Sequence, residues 1–455
     1  MIETDLTKFL PDLIEEENLF KEYGELNIKH RFSDGGDRIV NTVIVNGKAY
    51  AFGTFLGKIG EIERKRLIKR YAKLSIYKTL SKIFNASLPW GSLTGIRPTK
   101  LAYQEIASCG DFYDFFKDTL LVSEEKTALT AEVINSQKGI YGTADGGSDF
   151  FAFIPFCPSR CEYCSFISQD VRGAEKLMKE YVPALIREIN ESAKYIKKLR
   201  SIYIGGGTPV ALSDKDLDRV LSEIDKFNTG VEFTVEAGRP DAITKENLAI
   251  LKAHGVTRIS VNPQTFNDDT LKRIGRNHTA SDVLRAFDLA RNDFSINMDL
   301  IAGLPEETAD IFYDTLNKTV SLDPDNITVH TLCVKKGSRL AEKSSGLTAG
   351  DCAKCVDIAH ERLNGDGYNA YYLYRQKYMA GNLENVGYSK KGKECVFNID
   401  TMEEIADVVA CGANAISKRV EKMGEKIERY AQPKDVKTYL NKLDEILGKK
   451  EEFFA

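Results

Sequence analysis

Three cysteines lie within eight residues in the segment Ile154-Pro155-Phe156-Cys157-Pro158-Ser159-Arg160-Cys161-Glu162-Tyr163-Cys164-Ser165-Phe166. Thiolates ligate iron–sulfur clusters, and a [4Fe–4S] cube normally takes four of them. Three thiolates on one short loop leave one iron of such a cube without a protein ligand. The spacing Cys-x3-Cys-x2-Cys therefore predicts a [4Fe–4S] cluster held by Cys157, Cys161 and Cys164, with one open iron.

An open iron can chelate the amino and carboxylate groups of S-adenosylmethionine (SAM). One electron from the cluster then cleaves the sulfonium and releases a 5′-deoxyadenosyl radical, which abstracts hydrogen atoms. The spacing, with Tyr163 before the last cysteine and Phe166 two residues after it, resembles the motif of the radical SAM superfamily. The expected cofactors are a [4Fe–4S] cluster and SAM.

A zinc knuckle completed by Cys352 and Cys355 is the alternative for these cysteines. Zinc knuckles pair two-residue spacings around glycine-rich turns. Residues 351–357 instead have the pattern of a helix interior, which disfavours zinc.

Composition narrows the class of protein. Of 455 residues, 42% are hydrophobic and 29% are charged, which is typical of a soluble globular protein of two or three domains. A formal net charge of −4 argues against general nucleic-acid or membrane-surface binding. No signal peptide or membrane-spanning apolar run is visible. Nine cysteines without a secreted disulfide framework indicate reduced thiols and a cytoplasmic protein.

Three zones follow one another along the chain. Residues 1–145 are expected to form an α+β domain, with a hairpin signal at Asn46-Gly47 and a basic helix over Glu61–Phe84. Residues 149–335 alternate strands and helices, and residues 336–455 are expected to form a mainly helical domain that covers the substrate.

The second zone predicts the fold class. Its strand candidates are Phe150–Phe156, Ser201–Gly205, Glu232–Glu236, Arg258–Asn262, Ile296–Leu300 and Asn326–Leu332, and Ser213, Thr244 and Ser281 are expected to cap intervening helices. Six β–α units of this length favour a parallel sheet, so we predict an α/β protein with a partial (β/α)6 barrel. Ligands of such folds bind at the C-terminal ends of the strands, where the cysteine loop follows the first strand.

The run Gly205-Gly206-Gly207-Thr208-Pro209 follows the second strand. Glycines lack Cβ and allow close approach of the backbone to a ligand. By itself the run is equally typical of an ordinary tight turn.

Polar residues follow at later strand ends. Buried carboxylates such as Glu236 and Asp299 need partners, and ribose hydroxyls or a basic side chain would supply them. Gln264 lies at the end of the fourth strand. The guanidinium of Arg276 could form a bidentate pair with the SAM carboxylate. Salt bridges, helix caps or a surface arginine are the alternatives for each residue taken singly, but one polar group per successive strand favours a common site.

A family resemblance combines these motifs. The segments Cys157–Phe166, Gly205–Pro209, Gln264–Phe266, Arg276–Thr279 and Asn297–Pro305 resemble the radical SAM coproporphyrinogen III oxidase group. Outside the barrel, residues 90–98 and 373–388 look like its HemZ branch, the oxygen-independent coproporphyrinogen III dehydrogenases.

That resemblance implies roles and partners. The three cysteines would hold the cluster, and SAM would be surrounded by Gly206, Gly207, Thr208, Glu236, Gln264, Arg276 and Asp299. The implied oxidoreductase reaction is oxidative decarboxylation of two propionates of coproporphyrinogen III to vinyls, giving protoporphyrinogen IX in haem biosynthesis. Its partners would be the tetrapyrrole and a low-potential electron donor such as flavodoxin or ferredoxin. No catalytic side chain is assigned.

Several positions depart from the family pattern. The bacterial dehydrogenases carry a fourth cysteine where this chain has Phe166, and a Tyr-x-His where it has Phe151-Ala152-Phe153. The haem-chaperone branch shares the phenylalanine, but its His-Asn pair is Gly381-Asn382 here. The alternatives are therefore a haem-handling protein that keeps the cluster, or a radical SAM enzyme acting on another tetrapyrrole.

Substrate contacts are expected from aromatic and basic residues. Tyr371, Tyr372, Tyr374, Arg375 and Lys377 could stack on a tetrapyrrole and pair with its carboxylates, or form a strand that packs on the barrel. Arg97 and Arg375 are the predicted cations for the substrate.

Overall fold

The computed structural model describes residues 2–24, 26–94, 97–164, 169–333, 349–376, 379–421, 424 and 426–455. The chain forms two compact units, Met1–Ala131 and Glu132–Ala455. Among the helices within these ranges, none combines the length and the apolar character needed to cross a membrane.

The first unit contains one four-stranded sheet. Its strands are β1 (Ile2–Thr4), β2 (Ile28–Asp34), β3 (Arg38–Val45) and β4 (Lys48–Phe55), paired in that order. Asn46 and Gly47 connect β3 to β4 with positive φ angles of 49° and 77°, which confirms the predicted hairpin turn.

A long helix, Glu61–Phe84, covers this sheet and confirms the predicted basic helix. Its Ile76, Tyr77 and Leu80 pack in one cluster with Val43 of β3. The remaining helices in this part of the chain are Leu10–Asn18, Pro98–Cys109 and Glu124–Ser136.

The second unit is built on an eleven-stranded sheet. The strands of this unit are β5 (Gly147–Ile154), β6 (Phe156–Cys157), β7 (Gln169–Asp170), β8 (Lys198–Gly206), β9 (Glu232–Val235), β10 (Arg258–Ser260), β11 (Ser295–Ala302), β12 (Asn326–Thr331), β13 (Asn369–Tyr374), β14 (Asn385–Ser389), β15 (Asp407–Cys411), β16 (Ile416–Glu421) and β17 (Lys426–Ala431). The order in the large sheet is β13-β14-β12-β11-β10-β9-β8-β5-β15-β16-β17, and β6 pairs only with β7.

Six neighbouring strands of this sheet, β5 and β8 to β12, are parallel to one another. They coincide with the six strands expected from the sequence to within three residues at each end. The α/β class and the partial barrel are therefore confirmed.

Side chains on these parallel strands alternate between two surroundings, because a strand has a two-residue period. One set is apolar and packs with the helices; it includes Ile202, Ile204, Phe233, Val235, Ile259, Val261, Ile296 and Met298. The intervening positions include Tyr203, Glu236, Asn262, Asp299 and His330. The alternation gathers polar groups on the face of the sheet that is turned away from the helices.

Most helices between the strands begin at side-chain caps, although the helix Glu175–Ser192 begins at Ala174 without one. Ser213 and Thr244 accept a bond from the third following residue, as predicted. The prediction of Ser281 as a cap is wrong, because Thr279 and Asp282 bond reciprocally and start that helix two residues earlier. The helices are Glu175–Ser192, Asp214–Asp225, Lys245–Ala253, Asp268–Arg273, Ala280–Ala290 and Ala309–Leu322.

The C-terminal part adds five strands, and the sequence indicated only β13 among them, as the alternative given for the tyrosine-rich segment 371–377. β13 and β14 extend the sheet antiparallel beyond β12, and β15 runs parallel beside β5. β16 and β17 carry charged residues at three of their six positions, which obscures the two-residue period of a strand. The helices of this part are Ala349–Gly365, Val396–Glu403, Val436–Asn441 and Leu443–Phe454. The domain borders near residues 145, 149 and 335 remain predictions.

A buried ion pair ties the last helix to the barrel. Lys450 and Glu188 have 0% of their side chains exposed, and Lys450 Nζ donates to Glu188 Oε1 at 2.7 Å. Lys450 also donates to the Ser192 hydroxyl at 2.8 Å and to Cys411 Sγ at 3.3 Å. Removing one partner of a buried pair leaves the other charge uncompensated.

We therefore expect Lys450→Met to lower the free energy of unfolding by about 3–5 kcal/mol. Chemical denaturation followed by circular dichroism measures the loss. Lys449→Met is the matched control, because Lys449 bonds to Glu445 on the exposed face of the same helix. Equal stabilities of the two variants would show that the buried pair of Lys450 and Glu188 does not stabilise the fold.

Candidate functional site

The cysteine loop begins directly after β5. Cys161 is 8% exposed, and Cys157 and Cys164 are half-buried. The Glu162 N–H donates to the Ile274 carbonyl at 3.0 Å, and the Ser159 hydroxyl donates to the Gly275 carbonyl at 3.3 Å. Two contacts thus fasten the loop to the segment after β10. Phe166 lies outside the described residues.

The predicted glycine run contacts this loop. A Cβ on Gly207 would lie 2.5 Å from the Phe156 carbonyl and 3.0 Å from Cys157 Sγ, so only glycine fits there. Gly206 has a φ of 105°, in the region that favours glycine. The Thr208 hydroxyl donates to Cys157 Sγ at 3.6 Å. The run therefore forms part of the surroundings of a predicted cluster ligand.

Glu236 lies at the end of β9 and faces β8. It accepts hydrogen bonds from the Tyr203 hydroxyl at 2.6 Å and from the Gly206 N–H at 3.2 Å. Burial raises the pKa of Glu236 to about 6, with the Asp299 charge adding to the increase and the bonds opposing it. The carboxylate is therefore oriented, but only partly compensated.

Asp299 on β11 has more partners. Asn262 Nδ2 donates to Oδ2 at 2.7 Å and Asn297 Nδ2 donates to Oδ1 at 2.7 Å, while His330 Nε2 lies 3.7 Å from Oδ2. Burial alone would raise the pKa of Asp299, but His330 and the amide donors hold it below its usual value. Asp299 is thus a fixed carboxylate acceptor.

Gln264 follows β10 with a φ of 66°, which is unusual for a residue other than glycine. Its N–H donates to the Asp299 carbonyl at 2.9 Å, so the two residues are adjacent. The side chain is 6% exposed, and its Oε1 has no hydrogen-bond partner within the described part of the chain. A buried acceptor without a partner is a position that a ligand donor can satisfy.

Arg276 has a different environment from the one expected. Its Nη2 donates to the Tyr163 hydroxyl at 2.9 Å, and Nη1 donates to the carbonyls of Gly238 and Asn262 at 3.2 and 3.1 Å. The guanidinium therefore supports the cysteine loop through Tyr163. Its contact with a SAM carboxylate stays a prediction.

The predicted substrate residues lie in both units. Arg97 precedes the helix Pro98–Cys109 of the first unit. Arg375 follows β13, is buried, and donates from Nη2 to the Asn382 carbonyl at 3.0 Å. Tyr371 and Tyr372 are buried in β13 and pack with the second unit, whereas the Tyr374 hydroxyl lies 3.4 Å from His330 Nδ1. Lys377 lies outside the described residues, and no substrate contact is tested.

The departures at Phe151 and Phe153 place rings, not donors, near the site. Phe151 stacks on Phe397, with ring centroids 5.7 Å apart. Phe153 lies against Gly206, where a Cβ would come within 2.8 Å of the ring. The neighbouring Tyr203 supplies a hydroxyl on the strand paired with Phe151.

The cysteines considered for zinc lie in a helix, Ala349–Gly365, as their sequence predicted. Both are buried, and burial raises the pKa of Cys352 to about 11 and of Cys355 to about 12. In the described residues, no three His, Cys, Asp or Glu side chains are grouped to hold a single metal ion.

Sequence reasoning missed the groups that orient the predicted residues, chiefly Tyr203, Asn262, Asn297, His330 and Arg239. A signal for three of them was present. Tyr203-x-Gly205, Asn297-x-Asp299 and Thr328-x-His330 place polar or small residues at every second position of a strand.

Together these residues fit the expected cofactors. Three thiols lie on one loop, a glycine without room for a Cβ adjoins one sulfur, and an acceptor without a partner lies beside a fixed carboxylate. Such a donor set suits a cluster with one open iron and a ligand that carries ammonium and hydroxyl groups.

Comparison with known proteins agrees with the cofactors that these residues fit. Residues 151–319 match the radical SAM superfamily. The oxygen-independent coproporphyrinogen-III oxidase-like protein HemZ of Bacillus subtilis is 37% identical over 381 residues, which cover 79% of this chain and 76% of the relative. The chain belongs to this HemZ family within the radical SAM superfamily. Its cofactors are a [4Fe–4S] cluster and SAM.

Two further relatives have different described roles. The heme chaperone HemW of Haemophilus influenzae is 30% identical over 302 residues, covering 64% of this chain and 75% of the relative. The coproporphyrinogen III oxidase HemN of Escherichia coli, a radical SAM enzyme, has a similar structure, with a TM-score of 0.54, 22% identity, and 71% and 73% of the two chains covered. This last likeness shows the shared fold.

The raised pKa of Glu236 predicts a pH dependence of stability. The folded state favours the protonated form of Glu236 over the carboxylate. The contribution of this group to the free energy of unfolding is therefore largest below pH 4.5 and is lost as the pH rises through about 6. We compare the free energies of unfolding of the cofactor-free wild type and of Glu236→Gln. The wild-type value minus the variant value should fall by on the order of 2 kcal/mol across this window. Urea denaturation between pH 4 and 8 measures it; a difference that rises with pH would contradict the burial of this carboxyl.

Proposed function

We propose that this protein is a radical SAM enzyme that oxidatively decarboxylates two propionates of coproporphyrinogen III to vinyls, giving protoporphyrinogen IX. The observation that carries the proposal is the convergence of four features: the cysteine loop, the glycine run and Glu236 at the ends of β5, β8 and β9, and Asp299 within β11. The HemZ relative, with its name of coproporphyrinogen-III oxidase-like protein, supports the substrate class.

Cys157, Cys161 and Cys164 would hold the cluster. When bound, the cluster and SAM supply a 5′-deoxyadenosyl radical that removes one hydrogen atom from the propionate carbon next to the ring. Loss of CO2 with transfer of one electron to an external one-electron acceptor would then leave a vinyl group. Each propionate would thus give one hydrogen atom to the deoxyadenosyl radical, one CO2 and one electron to that acceptor.

In this scheme the residues of this chain bind SAM and hold it in a fixed orientation. Asp299 is held as a carboxylate by Asn262 and Asn297, so it would accept hydrogen bonds from ribose hydroxyls without reorganisation. Glu236, with its raised pKa, would gain from a ligand that brings N–H or O–H donors. Gln264 would complete the same pocket with its amide oxygen.

The substrate is an anion, so its carboxylates need cations. Arg97 and Arg375 are the proposed partners, since guanidinium pairs with carboxylates in a bidentate manner. A low-potential donor such as flavodoxin or ferredoxin would supply the electron that starts each cycle.

A haem-handling role is the second candidate. The identity to the heme chaperone HemW and the phenylalanine at position 166 favour it. The Gly381-Asn382 pair, in place of the chaperone's His-Asn, opposes it because glycine cannot ligate haem iron.

Anaerobic reconstitution separates the candidates. With SAM, a low-potential reductant and coproporphyrinogen III, we expect 5′-deoxyadenosine and protoporphyrinogen IX, measured by chromatography with mass detection. Cys157→Ala should abolish both the cluster absorption and the products, because the thiolate is a ligand. Cys352→Ala is the matched control and should retain both. Tight haem binding without deoxyadenosine would overturn the enzymatic proposal in favour of the carrier.

The affinity for SAM tests the proposed contact between Asp299 and the ribose hydroxyls. Asp299→Ala should weaken SAM binding by about 1.5–3 kcal/mol, the range for hydrogen bonds to a charged group. Isothermal titration of the reconstituted protein measures it, and Asp288→Ala, on an exposed helix position, is the control. Unchanged affinity together with a lower melting temperature would mean that Asp299 only supports the fold.

A further inference from the structure

Arg239 contacts the cysteine loop from the segment that follows Glu236. It is buried, with 4% of its surface exposed. Its Nη1 donates to the Ser159 carbonyl at 3.2 Å, to the Ser159 hydroxyl at 3.0 Å and to Cys161 Sγ at 3.9 Å. One guanidinium nitrogen therefore reaches both the backbone of the loop and a predicted ligand sulfur.

The opposite edge of the same guanidinium is fixed by Asp241. Nε donates to Oδ1 at 3.0 Å and Nη2 to Oδ2 at 2.9 Å, a bidentate pair that sets the plane of the group. Burial alone would raise the pKa of Asp241, but His278 and Arg239 hold it well below its usual range. Asp241 is thus an anion that offsets part of the Arg239 charge.

The charge balance of this contact bears on electron transfer. Reduction adds one negative charge to a cluster, so a nearby cation and an N–H donor favour the reduced form. Hydrogen bonds to sulfur and solvent exposure are among the factors that set cluster potentials. Because Arg239 is buried, solvent screens its charge little.

We propose that Arg239 is a positioning residue that orients Cys161 and raises the reduction potential of the cluster, and that Asp241 limits the size of this effect. The inference rests on the proposed role of Cys161 as a cluster ligand. Arg239 would thereby ease the one-electron reduction by the low-potential donor that the reaction requires.

An anaerobic redox titration of reconstituted full-length protein, followed by electron paramagnetic resonance of the reduced cluster, tests this proposal. Arg239→Gln should lower the ratio of reduced to oxidised cluster at fixed potential about tenfold, which is about 59 mV for one electron. Asp241→Asn should shift the midpoint potential upward, because it leaves the Arg239 charge without its counter-ion. Arg172→Gln is the control, since Arg172 is 70% exposed beside Asp170.

Opposite shifts in the two variants support a charge effect, because simple distortion of the loop would move both potentials the same way. Shifts of equal sign, or an unchanged potential in Arg239→Gln at full cluster content, overturn it. If Arg239→Gln takes up no cluster, Asp241→Asn decides: a higher potential supports the proposal, and an unchanged or lower one refutes it. Wild-type protein without a cluster would instead refute the proposed ligands.

Discussion

The pairing of β5 with β8 continues past the ends of both strands, and the candidate site depends on this continuation. The Gly207 N–H donates to the Ile154 carbonyl at 2.8 Å, and the Thr208 N–H donates to the Phe156 carbonyl at 2.7 Å. The backbones are then too close for a Cβ at position 207. Two loops that follow different strands are thereby joined into one structure, with Thr208 against Cys157.

Local patterns made the barrel and the cysteine loop predictable. Each parallel strand carries its own apolar alternation, and the cysteine spacing is contained in eight residues. Arg239 was not predictable, because its partner Ser159 lies 80 residues away and an arginine after a strand usually faces solvent. The residues that carry a motif were thus found, whereas the residues that orient them from another strand were not.

The C-terminal part shows how tertiary packing overrides local signals. The charged helix Leu443–Phe454 has the composition of a solvent-exposed segment, yet Lys450 is enclosed with Glu188, Ser192 and Cys411. Its neighbour Lys449 is exposed, so one step along the helix separates a surface charge from a buried one. The difference arises because the helix Glu175–Ser192 supplies Glu188 and Ser192 to Lys450, and the end of β15 supplies Cys411.

Glu236 and Asp299 show that burial alone does not set the charge of a carboxyl group. Burial alone would raise the pKa of both. Asp299 gains two amide donors and His330, which lower its pKa, whereas Glu236 has one hydroxyl and one backbone N–H, and its pKa stays raised. Each negative charge also disfavours the other, and His330 offsets only part of their combined charge. A ligand with an ammonium group and several hydroxyls would correct this deficit. The electrostatics of the strand ends therefore favour a cation rich in donors, a description that SAM fits and an anionic tetrapyrrole does not.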